Sequence, residues 1–257
     1  MPGIFLFHLW SVGECATVSG MSDQKKFELS PSLSIIIAGV IVSGAILLTH
    51  FFPAGTPAAG EQNAQNTAAQ TIQQKMNPAL YLQIAKALGV DEAKYTSCVD
   101  TKKYQNKIDT DATEAQKAGG QGTPFTVIVD TKTGKQLPVS GALPYEQLKA
   151  AIDAVNTQGE ALTIRKPSES DHIVGSPTAP IVLVEYSDFQ CPFCQIIHPS
   201  LAKLVNESDG KIAWVYRNFP LYQIHPQAIP AANAAECIAE QLGNQGFWTF
   251  ANTLLKG

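Results

Sequence analysis

The chain has 257 residues, 45% of them hydrophobic and 16% charged, with a formal net charge of −4. That is enough chain for one domain of ordinary size plus appendages. The acidic balance offers no basic footprint, which argues against a nucleic-acid partner.

Residues 1–20 are apolar and poorly patterned, whereas Met21-Ser22-Asp23-Gln24-Lys25-Lys26 makes a more ordinary beginning. The stretch before Met21 is therefore read as an upstream extension, and Cys15 receives no role. Residues 33–52 contain no Asp, Glu, Lys or Arg. At a rise of about 1.5 Å per residue this run matches a hydrocarbon core roughly 30 Å thick, so it is expected to cross a membrane as one helix. Lys25 and Lys26 precede it and no Lys or Arg follows until Lys75, which predicts residues 1–32 in the cytoplasm and the bulk of the chain outside. The alternative is a cleaved signal peptide ending near Pro57-Ala58-Ala59-Gly60, for which the apolar run is long. Residues 53–76 are rich in Ala, Gln, Thr, Gly and Pro and form a flexible linker, because such a composition buries too little surface to fold.

From Pro78 the pattern turns helical: Leu80, Ile84 and Leu88 recur at four-residue spacing, and Gly89 is placed to stop the helix. Asp91 can cap a second helix that carries Cys98. A polar third, Lys102 to Lys117, ends at Gly119-Gly120. Pro124 to Asp130 is rich in Val, Ile and Phe, as a buried strand would be. Lys132-Thr133-Gly134-Lys135 turns the chain, Gln136 to Ser140 pairs back, and Leu143 to Val155 closes the unit as a helix. Residues 77–155 are thus helices followed by a β-β-α unit.

A connecting linker, 156–170, leads to a second segment, 171–257. It supplies a strand Ile181 to Ser187, a helical run Gln195 to Val205 that Pro199 should kink, a strand Lys211 to Asn218, and two helical runs, Ala228 to Leu242 and Phe247 to Leu254. Between the first strand and its helix stands Cys191-Pro192-Phe193-Cys194. A strand that delivers two cysteines to a helix start puts one sulfur over unsatisfied amide donors, where a thiolate is stabilised. The rival readings are a zinc half-site and a plain structural bridge. Zinc needs a second Cys or His pair, and neither Cys98 nor Cys237 sits in one. No metal and no cofactor is expected.

Further residues carry a resemblance. Gly175-Ser176-Pro177, the run Val184-Glu185-Tyr186-Ser187-Asp188-Phe189-Gln190-Cys191-Pro192, Arg217-Asn218-Phe219-Pro220-Leu221, His225-Pro226, Ala234-Ala235-Glu236-Cys237 and Phe247-Trp248 lie in 171–257. With them this segment resembles the first half of the DsbA-like (thioredoxin_4-type) thiol:disulfide oxidoreductases of the thioredoxin superfamily. Residues 77–155, with Leu88-Gly89-Val90-Asp91, Tyr95-Thr96-Ser97-Cys98-Val99-Asp100 and Gly122-Thr123-Pro124-Phe125, are similar to that family's C-terminal half. The resemblance implies an α/β, thioredoxin-like fold with a helical insertion subdomain, its halves in circularly permuted order, behind one N-terminal transmembrane helix.

Residue chemistry and resemblance together outline a site. Cys191, the more exposed sulfur at the helix start, is the expected nucleophile, and Cys194, one turn in, the resolving thiol. Pro192 suits the first helical turn. Phe193 contributes no cation to the thiolate. Glu185 lies six residues before Cys191 on a buried strand, where a carboxylate is costly unless paired. The resemblance implies that Glu185 sits beneath the disulfide and relays protons; a plain strand residue with an unseen partner is the alternative. The resemblance also implies a cis Thr123-Pro124 bond beside the sulfurs, where the Thr123 backbone can pair with an extended substrate. It implies a second, structural disulfide between Cys98 and Cys237, against two buried free thiols. Asp188 is read as a turn residue and His225 as a loop or core histidine; His172 and His50 receive no assignment.

These readings make the chain a membrane-anchored extracytoplasmic oxidoreductase that forms disulfides in exported, cysteine-containing proteins. By resemblance, a membrane partner of the DsbB or vitamin-K-epoxide-reductase type reoxidises it. The alternatives are a disulfide reductase or isomerase, and an inactive membrane-anchored binding module from a rearranged gene. The position of strand Pro124 to Asp130 relative to Ile181 to Ser187 discriminates: pairing within one chain closes the domain, and pairing between chains makes a swapped dimer.

Overall fold

The computed structural model describes residues 76–161 and 163–255, so the expectations for residues 1–32, 33–52 and 53–75 lie outside the described residues. Met76, grouped with the linker by composition, is instead buried and belongs to the folded core.

Three helices come first: α1 (Pro78–Ala87), α2 (Glu92–Asp100) and α3 (Gln105–Lys117). Asn77 caps α1 by accepting from Leu80 N at 3.0 Å, with Pro78 in the first turn, and Asp91 caps α2 by accepting from Lys94 N at 2.9 Å. The buried stripe of α1 is Tyr81 and Ala85, with Leu80, Ile84 and Leu88 half-buried beside it. The apolar repeat therefore marks the flank of the stripe, and an aromatic residue fills its centre. α3 starts three residues later than its polar pattern predicts, after a turn in which Lys102 takes a positive φ of 49°.

The remaining elements are β1 (Phe125–Asp130), β2 (Lys135–Ser140), α4 (Tyr145–Gln158), β3 (Glu160–Ala161), β4 (His172–Val174), β5 (Ile181–Ser187), α5 (Pro192–Asn206), β6 (Ile212–Asn218) and α6 (Ala228–Leu255). They build one six-stranded sheet in the order β3-β2-β1-β5-β6-β4. β5 and β6 run parallel, joined by α5 as a crossover. β1 pairs antiparallel with β5, Phe125 opposite Tyr186 and Asp130 opposite Ile181. The strand from 77–155 and the strand from 171–257 thus share one sheet within one chain.

Both faces of the sheet are covered, which is why its central strands show continuous apolar runs rather than alternation. Phe125, Val127 and Val129 of β1, Val182, Val184 and Tyr186 of β5, and Ala213 and Val215 of β6 form one core, closed by Ala112, Ala115 and Ala118 of α3 and the turn after it. Ile128, Leu183, Trp214 and Tyr216 face the other core, with the buried residues of α1, α2, α4, α5 and α6. β3 and β4 escape a pattern search because two or three residues are too short to show a period. They lie in and just after the segment expected to be a bare connection, where Ile164 is also buried. α6 covers both predicted C-terminal helical runs, broken at Gly243, whose φ of 64° favours glycine.

Two features fasten the first segment to the second. Cys98 on α2 and Cys237 on α6 are joined as a disulfide across a sequence separation of 139. Replacing both by alanine is expected to cost about 4 kcal/mol of stability, because so long a loop then regains its freedom in the unfolded chain; urea unfolding of the full chain measures it. The second feature is a buried charge cluster around Arg217 on β6. Its Nε and Nη2 donate to the two Asp171 oxygens at 2.9 and 3.0 Å, and Nη1 donates to Glu114 Oε2 of α3 at 2.8 Å. Arg165 pairs with Asp111, and Lys107 donates to Glu236 at 2.7 Å. Arg217→Met would leave Asp171 and Glu114 without their buried cation. A loss of about 3–5 kcal/mol is expected in the same unfolding assay.

Candidate active site

β5 ends at Ser187, and Asp188-Phe189-Gln190 lead into α5, whose N-cap is Cys191 and whose first residue is Pro192. Pro192 has no N–H to leave unpaired there. The amides of Cys194 and Gln195 turn back onto the Cys191 carbonyl at 3.1 and 3.3 Å, so the positive end of the helix stands at Cys191. Both cysteines are free thiols and both are buried, Cys191 at 3% and Cys194 at 0% exposure. The Thr123–Pro124 bond is cis, and the Thr123 carbonyl accepts from Cys191 Sγ at 3.4 Å. The structure therefore brings Cys191, Cys194, Pro192, Phe193, Thr123 and Pro124 together. Cys98 and Cys237 bridge α2 and α6.

The surroundings split the two thiols. A hydrogen bond with Cys194 lowers the Cys191 pKa; Thr123 and the amides of Cys194 and Phe193 add to it, and burial opposes them. Cys194 moves the other way. Burial raises it first, then the Cys191 bond and the charges of Cys191 and Glu185. The negative charge thus rests on Cys191, and Cys194 keeps its proton.

Glu185 is fully buried, and its carboxylate accepts from Ser187 Oγ at 2.8 Å and from Trp214 Nε1 at 2.9 Å. Those donors are the partners that a buried carboxylate on this strand requires. Burial raises its pKa to about 7, against the lowering effect of the two hydrogen bonds and with the Cys191 charge adding to the rise. At neutral pH Glu185 can therefore both give and take a proton.

Asp188 does more than turn the chain. Its N–H donates to Cys194 Sγ at 3.5 Å and its carbonyl accepts from Cys191 N at 3.0 Å. Its buried carboxylate accepts from Gln190 N at 2.7 Å and from Leu221 N and His225 Nδ1 at 2.8 Å each. The loop after β6 is thereby fastened to the active-site turn. Sequence reasoning missed this hub, since an aspartate after a strand signals only a local turn. It also missed an apolar rim: Phe193 and Ile196 on α5, and Tyr222 and Ile224 on the fastened loop, are 58%, 50%, 59% and 70% exposed. No metal-ligating cluster occurs among the described residues.

Comparison with known proteins agrees with this architecture. Residues 54–153 match the family model described as DSBA-like thioredoxin domain, and residues 167–257 match one described as thioredoxin. The chain is similar to a stretch of the Na(+)/H(+) antiporter NhaA 1 of Mycolicibacterium gilvum, at 40% identity over 86 residues, 34% of this chain and 14% of that protein. NhaA 1 of Salinispora arenicola is 40% identical over 118 residues, 46% of this chain and 17% of that protein. NhaA 3 of Salinispora tropica is 39% identical over 87 residues, 34% of this chain and 13% of that protein. The chain thus spans under a fifth of the length of these relatives. No solved structure matches. The sheet, the cysteine pair at the helix start and the two family matches define a mixed α/β protein of the thioredoxin superfamily. Within that superfamily the chain belongs to the DsbA-like proteins, a class of thiol:disulfide oxidoreductases.

Proposed function

We propose that the protein is a membrane-anchored, extracytoplasmic thiol:disulfide oxidoreductase that forms disulfides in exported proteins through Cys191 and Cys194. The observation that carries this reading is the split between the two thiols above a buried acid poised near neutrality. In the oxidised form a substrate thiolate attacks Cys191 Sγ, forming a mixed disulfide. The Cys191–Cys194 bond breaks, and its electron pair leaves on Cys194, which takes its proton from Glu185. A second substrate thiolate then attacks the substrate sulfur of the mixed disulfide and expels Cys191 as a thiolate. Two substrate thiols have become a disulfide, and two electrons rest on Cys191 and Cys194.

A lowered Cys191 pKa makes this sulfur the better leaving group and stabilises the reduced protein, which favours the oxidase direction over a reductase or isomerase. The electrons must pass on to an oxidant, for which a membrane partner of the DsbB or vitamin-K-epoxide-reductase type is the proposed class. In this reading the Thr123 backbone pairs with the extended substrate and the apolar rim holds its side chains. The chain order, with the cis-proline strand ahead of the cysteine helix, is read as a circular permutation. Pairing of β1 with β5 inside one chain supports closure without swapping and counts against an inactive, non-closing module. The uncharged run 33–52 supports a single anchoring helix, and similarity to segments of proteins named as antiporters fits a place at a membrane.

The direction is tested by mixing the oxidised full chain, in detergent, with a reduced two-cysteine peptide. One equivalent of peptide disulfide per chain is expected. A peptide that stays reduced at equilibrium would favour the reductase alternative.

A further inference from the structure

We propose that His225, held in place by Asp188, is a positioning residue that supplies the positive charge facing the Cys191 thiolate. This rests on the thiol:disulfide reading above. Neither residue between the two cysteines, Pro192 or Phe193, can carry charge, so any cation for the thiolate must come from another element. The structure delivers one from the loop after β6.

The geometry is specific. Asp188 is 2% exposed and takes two backbone amides as well as His225 Nδ1, so its carboxylate is an acceptor and fixes the ring proton on Nδ1. The imidazolium that forms on protonation carries its second proton on Nε2, which Asp188 does not occupy. The same Asp188 binds the active-site turn, its carbonyl accepting from Cys191 N and its amide donating to Cys194 Sγ. Gln190 Oε1 accepts from Gln227 N at 2.7 Å, closing the other side of the loop. His225 is thus tied through Asp188 to the turn that carries both sulfurs, and its side chain stays 15% exposed, open to protonation from solvent. The titratable groups that act on it are Asp188, its hydrogen-bond partner, and Cys191, both on the active-site turn. The Asp188 hydrogen bond raises the His225 pKa against burial, and the Asp188 and Cys191 charges raise it further. A thiolate that favours the imidazolium is, by linkage, favoured by it.

The test uses the full chain in detergent, with pH-dependent alkylation of Cys191 read by peptide mass mapping and with redox equilibrium against glutathione. His225→Gln keeps an N–H for Asp188 and removes the charge. Its Cys191 pKa is expected to be about 0.7 higher, and its equilibrium constant for oxidising glutathione at pH 7 up to about 5-fold lower. The difference should shrink as rising pH removes the second proton of wild-type His225. A His225→Gln protein equal to wild type, or a shift seen in His225→Ala and absent in His225→Gln, overturns the proposal in favour of a purely structural loop contact. A second readout needs no variant. By reciprocity the His225 pKa, followed by NMR of labelled histidines, must fall when Cys191 is oxidised to the disulfide; equal values in the two redox states would also overturn it. If wild type itself shows no redox step at Cys191, the parent reading fails and His225 falls with it. An active wild type with an unshifted variant strikes only the His225 assignment.

Discussion

Cys191→Ser is expected to reduce thiol:disulfide exchange at least about 10³-fold, and Cys194→Ala to accumulate mixed disulfides with substrate. The contrast follows from the environments of the two sulfurs. Cys191 stands at the positive end of α5 with a lowered pKa, so it is the sulfur that is attacked and that leaves. A serine there has no accessible anion at neutral pH and cannot form the bond. Cys194 lies deeper, with its pKa raised by burial and by its neighbours, and it is the internal thiol that can attack Cys191 in a mixed disulfide and release the substrate. Without it a mixed disulfide formed when the Cys191 thiolate attacks a substrate disulfide has no internal thiol to release it and persists, visible as a higher-mass band on a non-reducing gel that vanishes with dithiothreitol. Trapping on Cys194 in place of Cys191 would reverse the assignment.

Glu185→Gln should change both stability and rate. The folded-state pKa of Glu185, about 7, lies above its ordinary value of 4.5, so the fold prefers the protonated carboxyl. The stability this gives is fully present below about pH 4.5 and is lost as pH rises through 7. It amounts to about 3 kcal/mol across that window. The glutamine variant removes this dependence, so its melting temperature should stay flatter between pH 5 and 8 and exceed that of wild type at pH 8. The same substitution removes the group that moves the Cys194 proton. Formation of the mixed disulfide by the oxidised protein, the step in which Cys194 leaves and takes its proton, is then expected to slow by about 10²-fold near pH 7, read by stopped-flow Trp fluorescence. A variant with wild-type rates and the wild-type pH profile would reduce Glu185 to a strand residue satisfied by Ser187 and Trp214.

The parts of this molecule that could be read from the sequence are those with a period or a special residue. Val- and Ile-rich runs marked β1 and β5 because both faces of the sheet are covered, and Pro78, Asp91, Gly89 and Pro192 marked helix ends through their backbone chemistry, whereas the Asn77 cap came only with the structure. The elements β3 and β4 were too short to leave a signature. The Asp188–His225 contact joins residues 37 positions apart, and the charge cluster joins Arg217 to Glu114 across 103. Such pairings depend on how strands are ordered in the sheet, which no local pattern encodes. The exposed rim was hidden for a related reason: Tyr222 and Ile224 are apolar residues in a short loop, and only the fastening of that loop to Asp188 shows that they stay outside. Position Glu185 was legible as an anomaly, a carboxylate within a buried strand, whereas its donors Ser187 and Trp214 came only with the fold.

The placing of the two site-forming stretches on separate segments has a physical consequence. Cys191 and the Thr123 carbonyl that faces it lie 68 residues apart, on different segments, and they meet only when β1 docks against β5. Redox activity therefore reports closure of the whole domain. The most direct measurement is a glutathione titration of the full chain with every cysteine mapped by differential alkylation and mass spectrometry. A single two-electron step confined to Cys191 and Cys194, with Cys98–Cys237 still joined under the same conditions and the protein monomeric, is the predicted result. If Cys98, Cys191, Cys194 and Cys237 instead react alike with no cooperative step, the segments do not assemble into a redox centre, and the oxidoreductase reading is wrong.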